Sequence, residues 1–303
     1  MTAPTTPQQL EPGAEREFTV QARSQWQMVS RRFFAHRLAM ISLVVFVLVL
    51  AVAFIYPLFM KHPFDYQSDD LSVGPSSKHL FGTDSIGQDV FAQVLRGIQT
   101  SVKVSLLAMA VGEILGVFVG ALAGFYRGWV DSLLMRAVDV VLTVPVLVLV
   151  LVLSRIAGGS WWMIALIIGG VTAAPTSRLV RSVFLSLRER EYVEAARALG
   201  ATDSRIIWRH LLPNSLGPII VDATLAVAGA ILTESALSFI GFGIKAPDVS
   251  LGKLISDGVN ASQTRPWLFY FPGLAIIIVV LTVNFIGDGL RDALDPTQQR
   301  VRA

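Results

Sequence analysis

The chain has 303 residues, of which 53% are hydrophobic and only 16% charged, and its mean hydropathy is +0.60. That is too apolar for an ordinary soluble domain and places the chain in the membrane class. A formal charge of +3 says little by itself, while the lack of cysteine excludes disulfides, thiolate catalysis and thiolate metal sites.

In chain order, residues 1–37 form a polar tail that opens on the low-complexity run "MTAPTTPQQLEPG", predicted to be disordered there. Six apolar stretches then reach the roughly 20 residues needed to cross about 30 Å of hydrocarbon. They lie near 38–60, 101–125, 133–154, 162–182, 216–242 and 267–288. The first, "LAMISLVVFVLVLAVAFIYPLFM", reads as a retained span. Its leader is too long for a signal peptide, and the apolar run continues past Ala51-Val52-Ala53. Residues 61–100 are predicted as an outer loop in which Gly82-Thr83-Asp84 turns ahead of a helix starting near Gly87. Within it Asp84, Asp89 and His79 suit capping or docking better than a metal site, so no metal is assigned. Residues 243–266 form a second outer loop and 293–303 a C-terminal tail. The fold expected is an all-α, polytopic membrane protein with about six transmembrane helices.

Six crossings put both ends on one side, and the basic residues say which. With a cytoplasmic N-terminus, 17 of the 25 Lys and Arg residues lie inside, and all five lysines lie outside. That bias fits the positive-inside rule, with both termini cytoplasmic.

Ionisable groups within spans each need an account, because one at a helix centre costs about 2.5–3.5 kcal/mol. Arg136 and Asp139 are three apart and are predicted to pair along one helix face. Arg178 and Arg181 are read as snorkelling orientation signals. Glu113, Asp222 and Glu234 are candidates for the wall of a translocation path. The fifth stretch is the richest in small residues, and Glu234 lies about 18 Å along it from Asp222. Interhelical hydrogen bonding is the competing account.

Between the fourth and fifth spans runs "EYVEAARALGATDSRIIWRHLLPN", Glu191 to Asn214. It reads as helix, glycine turn, helix. Gly200 closes the first helix, Thr202 or Asp203 caps the second, and Pro213 ends it. Tyr192, Ala195, Ala196 and Leu199 share one small apolar face; Ile207, Trp208, Leu211 and Leu212 form another. Five arginines face four acids over Arg188–Pro213, too balanced for DNA or a lipid surface. An amphipathic loop beneath the bundle and a docking surface for a cytoplasmic protein both remain open.

Glu194-Ala195-Ala196, Gly200 and then His210-Leu211-Leu212-Pro213 resemble the EAA loop of ABC importer permeases. His210 stands where the general pattern has isoleucine, and "RHLLPN" is similar to the dipeptide and oligopeptide branch. "FGTDSIGQDVFAQVLRG" (81–97, with Gly82, Asp84, Gly87 and Asp89) resembles that branch's outer segment. "GALAGFYRGWVDSLLMRAVDVVLTVP", "ESALSFIGFGIKAP" and "NFIGDGLRDALDP" extend the likeness over nearly the whole chain from about residue 30. Two departures, Pro175-Thr176 in "TAAPTSRLVR" and Ser250-Leu251-Gly252 in the second outer loop, bear on substrate identity.

The resemblance implies a type I ABC importer permease fold, with a core over 101–292 and a coupling loop over 188–213. It implies a non-enzymatic transport subunit of the bacterial plasma membrane that carries peptides; nickel chelate, glutathione or haem remain alternative cargoes. The implied partners are a sister permease, two cytoplasmic ATPases and an extracytoplasmic substrate-binding protein, with no nucleic acid. ATP and Mg would be bound by the ATPases and no cofactor by this chain. In keeping with that, Gly252-Lys253 has Pro247 where a Walker A loop needs glycine. An ion-coupled secondary transporter is the reading from another class; it would need no coupling loop.

Overall fold

The computed structural model describes residues 25–156 and 158–294. Two isolated bridges, Gln67–Gln88 and Thr83–Asp89, are the only β pairing among the described residues; the rest of the regular structure is helical. The first stretch of the predicted tail lies outside the described residues. Its last part is a helix, α1 (Gln25–Ala35). His36 then caps α2 (Arg37–Ile55), its Nδ1 accepting from the Ala39 N–H at 3.1 Å. α2 turns Leu38, Ile41, Val44, Val47 and Leu48 outward, each more than half exposed, as a lipid-facing helix would.

α3 (Val90–Tyr126) has 37 residues and at 1.5 Å per residue is about 55 Å long, well beyond the hydrocarbon thickness. The helix predicted to start near Gly87 thus begins at Val90 and runs unbroken into the second predicted span. Asp89 fixes the start, its Oδ1 accepting from the Ala92 N–H at 3.0 Å. Val90, Val94, Leu95 and Ile98 then bury one face against Leu251 and Leu254 of α10 (Leu251–Gly258).

α3 lies along α6 (Trp161–Leu187) in the most extensive helix contact of the molecule. Gly112, Gly116, Gly120 and Gly124 recur every four residues along that contact. A Cβ added at Gly116 would lie 2.6 Å from Thr176, at Gly120 2.5 Å from the Ser177 carbonyl oxygen, and at Gly124 2.7 Å from Phe184 Cβ. Gly169 answers from α6, where a Cβ would meet the Ala108 carbonyl oxygen at 2.6 Å. Any side chain at these positions would separate the helices.

The predicted span at 133–154 is not one straight helix. α4 (Gly128–Thr143) and α5 (Val146–Ser154) meet at 86°. Pro145 explains the break: it offers no N–H and disfavours helical geometry in the residue before it. Val144 accordingly has ψ 131°. The described chain thus has five helices long and apolar enough to span a membrane, or six if the bent pair counts as one. α9 (Leu212–Phe239) and α11 (Trp267–Leu294) complete the bundle beside α3 and α2.

The glycine contact gives a paired prediction. Gly116→Ala should destabilise the protein by about 1–3 kcal/mol through overpacking. Gly170→Ala, where a Cβ meets nothing within 4 Å, should be neutral or stabilising by up to about 1 kcal/mol. Melting temperatures in detergent would check both.

Candidate functional site

The segment between α6 and α9 folds as α7 (Glu191–Ala198), a turn, and α8 (Asp203–Ile206). Gly200, at φ +80°, makes the turn. Its N–H donates to Arg197 O at 2.9 Å and the Ala201 N–H to Ala196 O at 3.0 Å, closing α7 as the sequence predicts. Thr202 is the cap of α8, its Oγ1 accepting from the Arg205 N–H at 3.4 Å.

Pro213 does not end the second helix. Ile207–Leu211 form a π-turn, the Leu212 N–H reaching back to Ile207 O, and α9 starts directly from it with Pro213 in its first turn. Proline is tolerated there because the first N–H groups of a helix need no intrahelical acceptor. The loop is thereby continuous with a membrane-spanning helix, an unbroken path from Asp203 to Phe239.

The two predicted apolar faces divide by burial. Val193, Ile206, Ile207 and Leu211 are buried against Phe125, Val180 and Phe184 at the ends of α3 and α6, and Ala196 is buried as well. The outward side keeps Leu199 89% exposed, Trp208 63% and Tyr192 39%, with Glu194, Ala195 and Pro213 also exposed. His210 and Leu212 are half-buried, and the His210 carbonyl accepts from Asn214 Nδ2 at 2.6 Å. The result is a loop seated by apolar burial on one side, with Tyr192, Leu199 and Trp208 exposed among charged residues on the other.

Around it the charges pair differently from the sequence expectation. Asp139 bonds Arg178 at 2.5 Å rather than Arg136, and Asp131 grips Arg181 by both oxygens, at 2.5 and 2.6 Å. Arg178 and Arg181 therefore tie α4 to α6 instead of merely snorkelling. Side chains on neighbouring helices, invisible to spacing along one helix, decide this.

The three membrane acids occupy two places. Glu113 of α3 is buried and faces Asp222 of α9. Asp222 is half-buried and accepts from Thr176 Oγ1 of α6 at 2.8 Å, so the Thr176 departure sits at this three-helix junction. Glu234 is fully buried, accepting from Ser101 Oγ at 2.9 Å and Ser238 Oγ at 2.6 Å. The second departure is a packing feature: Ser250 caps α10, Leu251 is fully buried, and a Cβ on Gly252 would lie 2.2 Å from Ser235 O.

Residues 61–89 form a folded cap. Asp84 Oδ1 accepts from the Ile86 and Gln88 N–H groups at 2.9 Å each, and Oδ2 from Gln93 at 3.0 Å. Gly82 (φ +76°) and Gly87 (φ +81°) permit the turns, and a Cβ on Gly87 would lie 2.0 Å from Ser68 O. His79 is buried with Nδ1 2.8 Å from Asp89 and Nε2 3.2 Å from Asp70, while Lys78 also bonds Asp70. Those hydrogen bonds, Lys78's first and His79's second, hold the Asp70 carboxyl below its ordinary range. Trp267 Nε1 donates to Thr83 O at 3.2 Å and fastens the cap to α11.

Residues 116–300 match the family model described as the binding-protein-dependent transport system inner membrane component. The chain belongs to this family. Residues 24–75 also match the N-terminal transmembrane domain of oligopeptide transport permease C. The chain is 40% identical over 278 residues to the oligopeptide transport system permease protein OppC of Mycobacterium bovis, covering 91% of this chain and 96% of that one. It is 39% identical over 292 residues to the dipeptide transport system permease protein DppC of Alkalihalophilus pseudofirmus, covering 96% and 95%. A structure titled as an inward-facing conformation of the MetNI methionine ABC transporter aligns with a TM-score of 0.55 at 20% identity. It covers 67% of this chain and 96% of that chain, a likeness of fold.

The permease is thus a multi-pass membrane transport subunit rather than an enzyme, and its family implies ATPase and substrate-binding partners. That assignment displaces the ion-coupled reading. Sequence reasoning missed the glycine contact, although the four-residue spacing from Gly112 to Gly124 is its visible signal.

Two outcomes are expected at the cap. Asp84→Ala removes three hydrogen bonds and should loosen the outer segment by about 1–3 kcal/mol, read as faster proteolysis there. Because the Asp70 carboxyl is lowered when folded, its contribution is fully present above the ordinary value of 3.8 and is lost as pH falls through the lowered one. Amide protection at Val73 and Thr83 should therefore be flat near neutral pH and decline only below 3.8.

Proposed function

We propose that this permease imports short peptides across the bacterial plasma membrane, and that its 188–213 loop is where partner ATPases drive it. The carrying observation is the seated loop whose outward side holds Tyr192, Leu199 and Trp208 without a covering element among the described residues. Exposed aromatic and aliphatic anchors on a rigid base suit a groove in another protein. Charge balance argues against an anionic surface as the occupant.

In this reading the chain pairs with a sister permease, and each of two cytoplasmic ATPases receives one coupling loop. ATP and Mg are bound on those ATPases. Closure of the ATPases pushes on α7 and α8, and the continuous run from Asp203 to Phe239 carries the displacement into the membrane. The exchange of access from one side to the other is the shift of a two-state equilibrium by differential binding. An extracytoplasmic binding protein delivers the cargo near the folded 61–89 cap. The arginine-rich side, which includes the loop, is cytoplasmic, and both termini lie there.

Peptide is the favoured cargo because OppC and DppC are named for oligopeptides and dipeptides. Of the three membrane acids, half-buried Asp222 with Glu113 beside it best suits a path wall. Glu234, enclosed by its serines, suits it less.

Co-expression with the candidate ATPases tests the docking surface. Trp208→Ala and Leu199→Asp should each weaken co-purification, by about tenfold or more in affinity if they behave as interface anchors. Gly200→Arg should leave the subunit in the membrane but abolish ATP-driven peptide uptake. Full uptake by Gly200→Arg, or uptake by the chain alone in a proton gradient, would sink the reading.

A further inference from the structure

Only Arg127 separates α3 from α4, and its backbone is unusual: φ +55° and ψ −165°, a region nearly reserved for glycine. Gly128 follows at φ +59°. Something must hold a long side chain in that conformation. Arg127 Nη2 donates to Glu189 Oε1 at 2.6 Å, so the elbow is tied to the first residues after α6. The adjacent Arg188 Nη1 donates to the Phe125 carbonyl oxygen, one of the last-turn acceptors that a helix end leaves open. The Arg188 guanidinium lies 5.5 Å from the centre of the Phe125 ring, and Arg197 of α7 lies 6.0 Å from the same ring.

Three arginines crowd this corner. Burial pushes the Arg188 guanidinium down from its ordinary value, with Arg127 and Arg197 adding to the effect. Asp203 and Glu189, with the Phe125 ring face and the Phe125 carbonyl, offset that repulsion. The seating of the loop does not require this arrangement, since Val193, Ile206 and Leu211 already bury it. α4, by contrast, buries only Val138 and is held to α6 by the Asp131–Arg181 and Asp139–Arg178 pairs.

We propose that this clasp is the joint through which movement of α7 reaches α3 and α4, with Arg188 and Glu189 as its positioning residues. They grip the elbow at Phe125 and Arg127, so that displacement of the loop turns the α3–α4 hairpin instead of being absorbed in residues 188–190. This inference rests on the loop being the ATPase docking site.

The test uses the full complex in proteoliposomes, with ATP hydrolysis and uptake of a labelled dipeptide measured on the same sample. Co-purification of the wild-type chain with its ATPases is scored first, because its failure would count against the docking reading and not against the clasp. Arg127→Glu, outside the loop, should leave the ATPases bound and ATP hydrolysis running; Glu189→Arg lies in the loop, so its uptake is expressed per ATP hydrolysed by the ATPases it retains. Uptake per ATP should fall about tenfold in each. Both side chains are partly exposed, at 41% and 69%, so losing the pair contributes little to stability, and unchanged melting temperatures should confirm that. The double swap, Arg127→Glu with Glu189→Arg, should restore uptake per ATP to within about twofold of wild type, as expected for a pairwise coupling. Wild-type uptake per ATP in either single variant, or a double swap no better than the singles, would overturn the proposal.

Discussion

Backbone-to-backbone approach of α3 and α6 is the constraint on which the other contacts depend. Four glycines at four-residue spacing remove every side chain from one stripe of α3, and α6 lies in the space left. In a membrane, where lipid tails are as apolar as leucine, that close fit supplies dispersion contacts that burial alone does not. It also fixes what lies at each end. At one end the contact delivers Phe125 and Phe184 to the floor beneath the 188–213 loop. Midway it brings Thr176 alongside Gly116, within reach of Asp222.

The two faces of the molecule solve different problems with the same materials. At one end, short polar side chains and positive-φ glycines fold residues 61–89 into a cap fastened to α3 by Asp89 and to α11 by Trp267. At the other end, apolar burial seats the 188–213 loop, and charged groups tie its flanks to α3 and α4. The cap is finished within this chain, whereas the loop leaves Leu199 and Trp208 uncovered.

Much of this was legible in residues 188–214. Gly200, Thr202 and the apolar spacing foretold a helix-turn-helix, because caps and positive-φ turns are decided locally. The spans were equally plain from length and hydropathy. Pairing was not: Asp139 turned from its helix neighbour Arg136 to Arg178, since the choice lies with a helix 39 residues away. Pro145 was overlooked inside an apolar run, and its steric demand split one predicted span into two helices. The predicted apolar face of α7 mixed Ala196, which is buried, with Leu199, which is not, because periodicity identifies a stripe but not which edge meets a neighbour.

The π-turn at Ile207–Leu211 has a geometric consequence for the membrane. One surplus residue in a helix rotates everything after it by about 100°, the angle per residue of a 3.6-fold screw. The bearing of Asp222 and Glu234 is therefore set not only where they reside but by a wedge of backbone beneath the bilayer. Were that turn to relax to ordinary α geometry, the screw would advance by one position along its whole length. Asp222 would leave Thr176, and Glu234 would leave Ser101, without any local change at either acid.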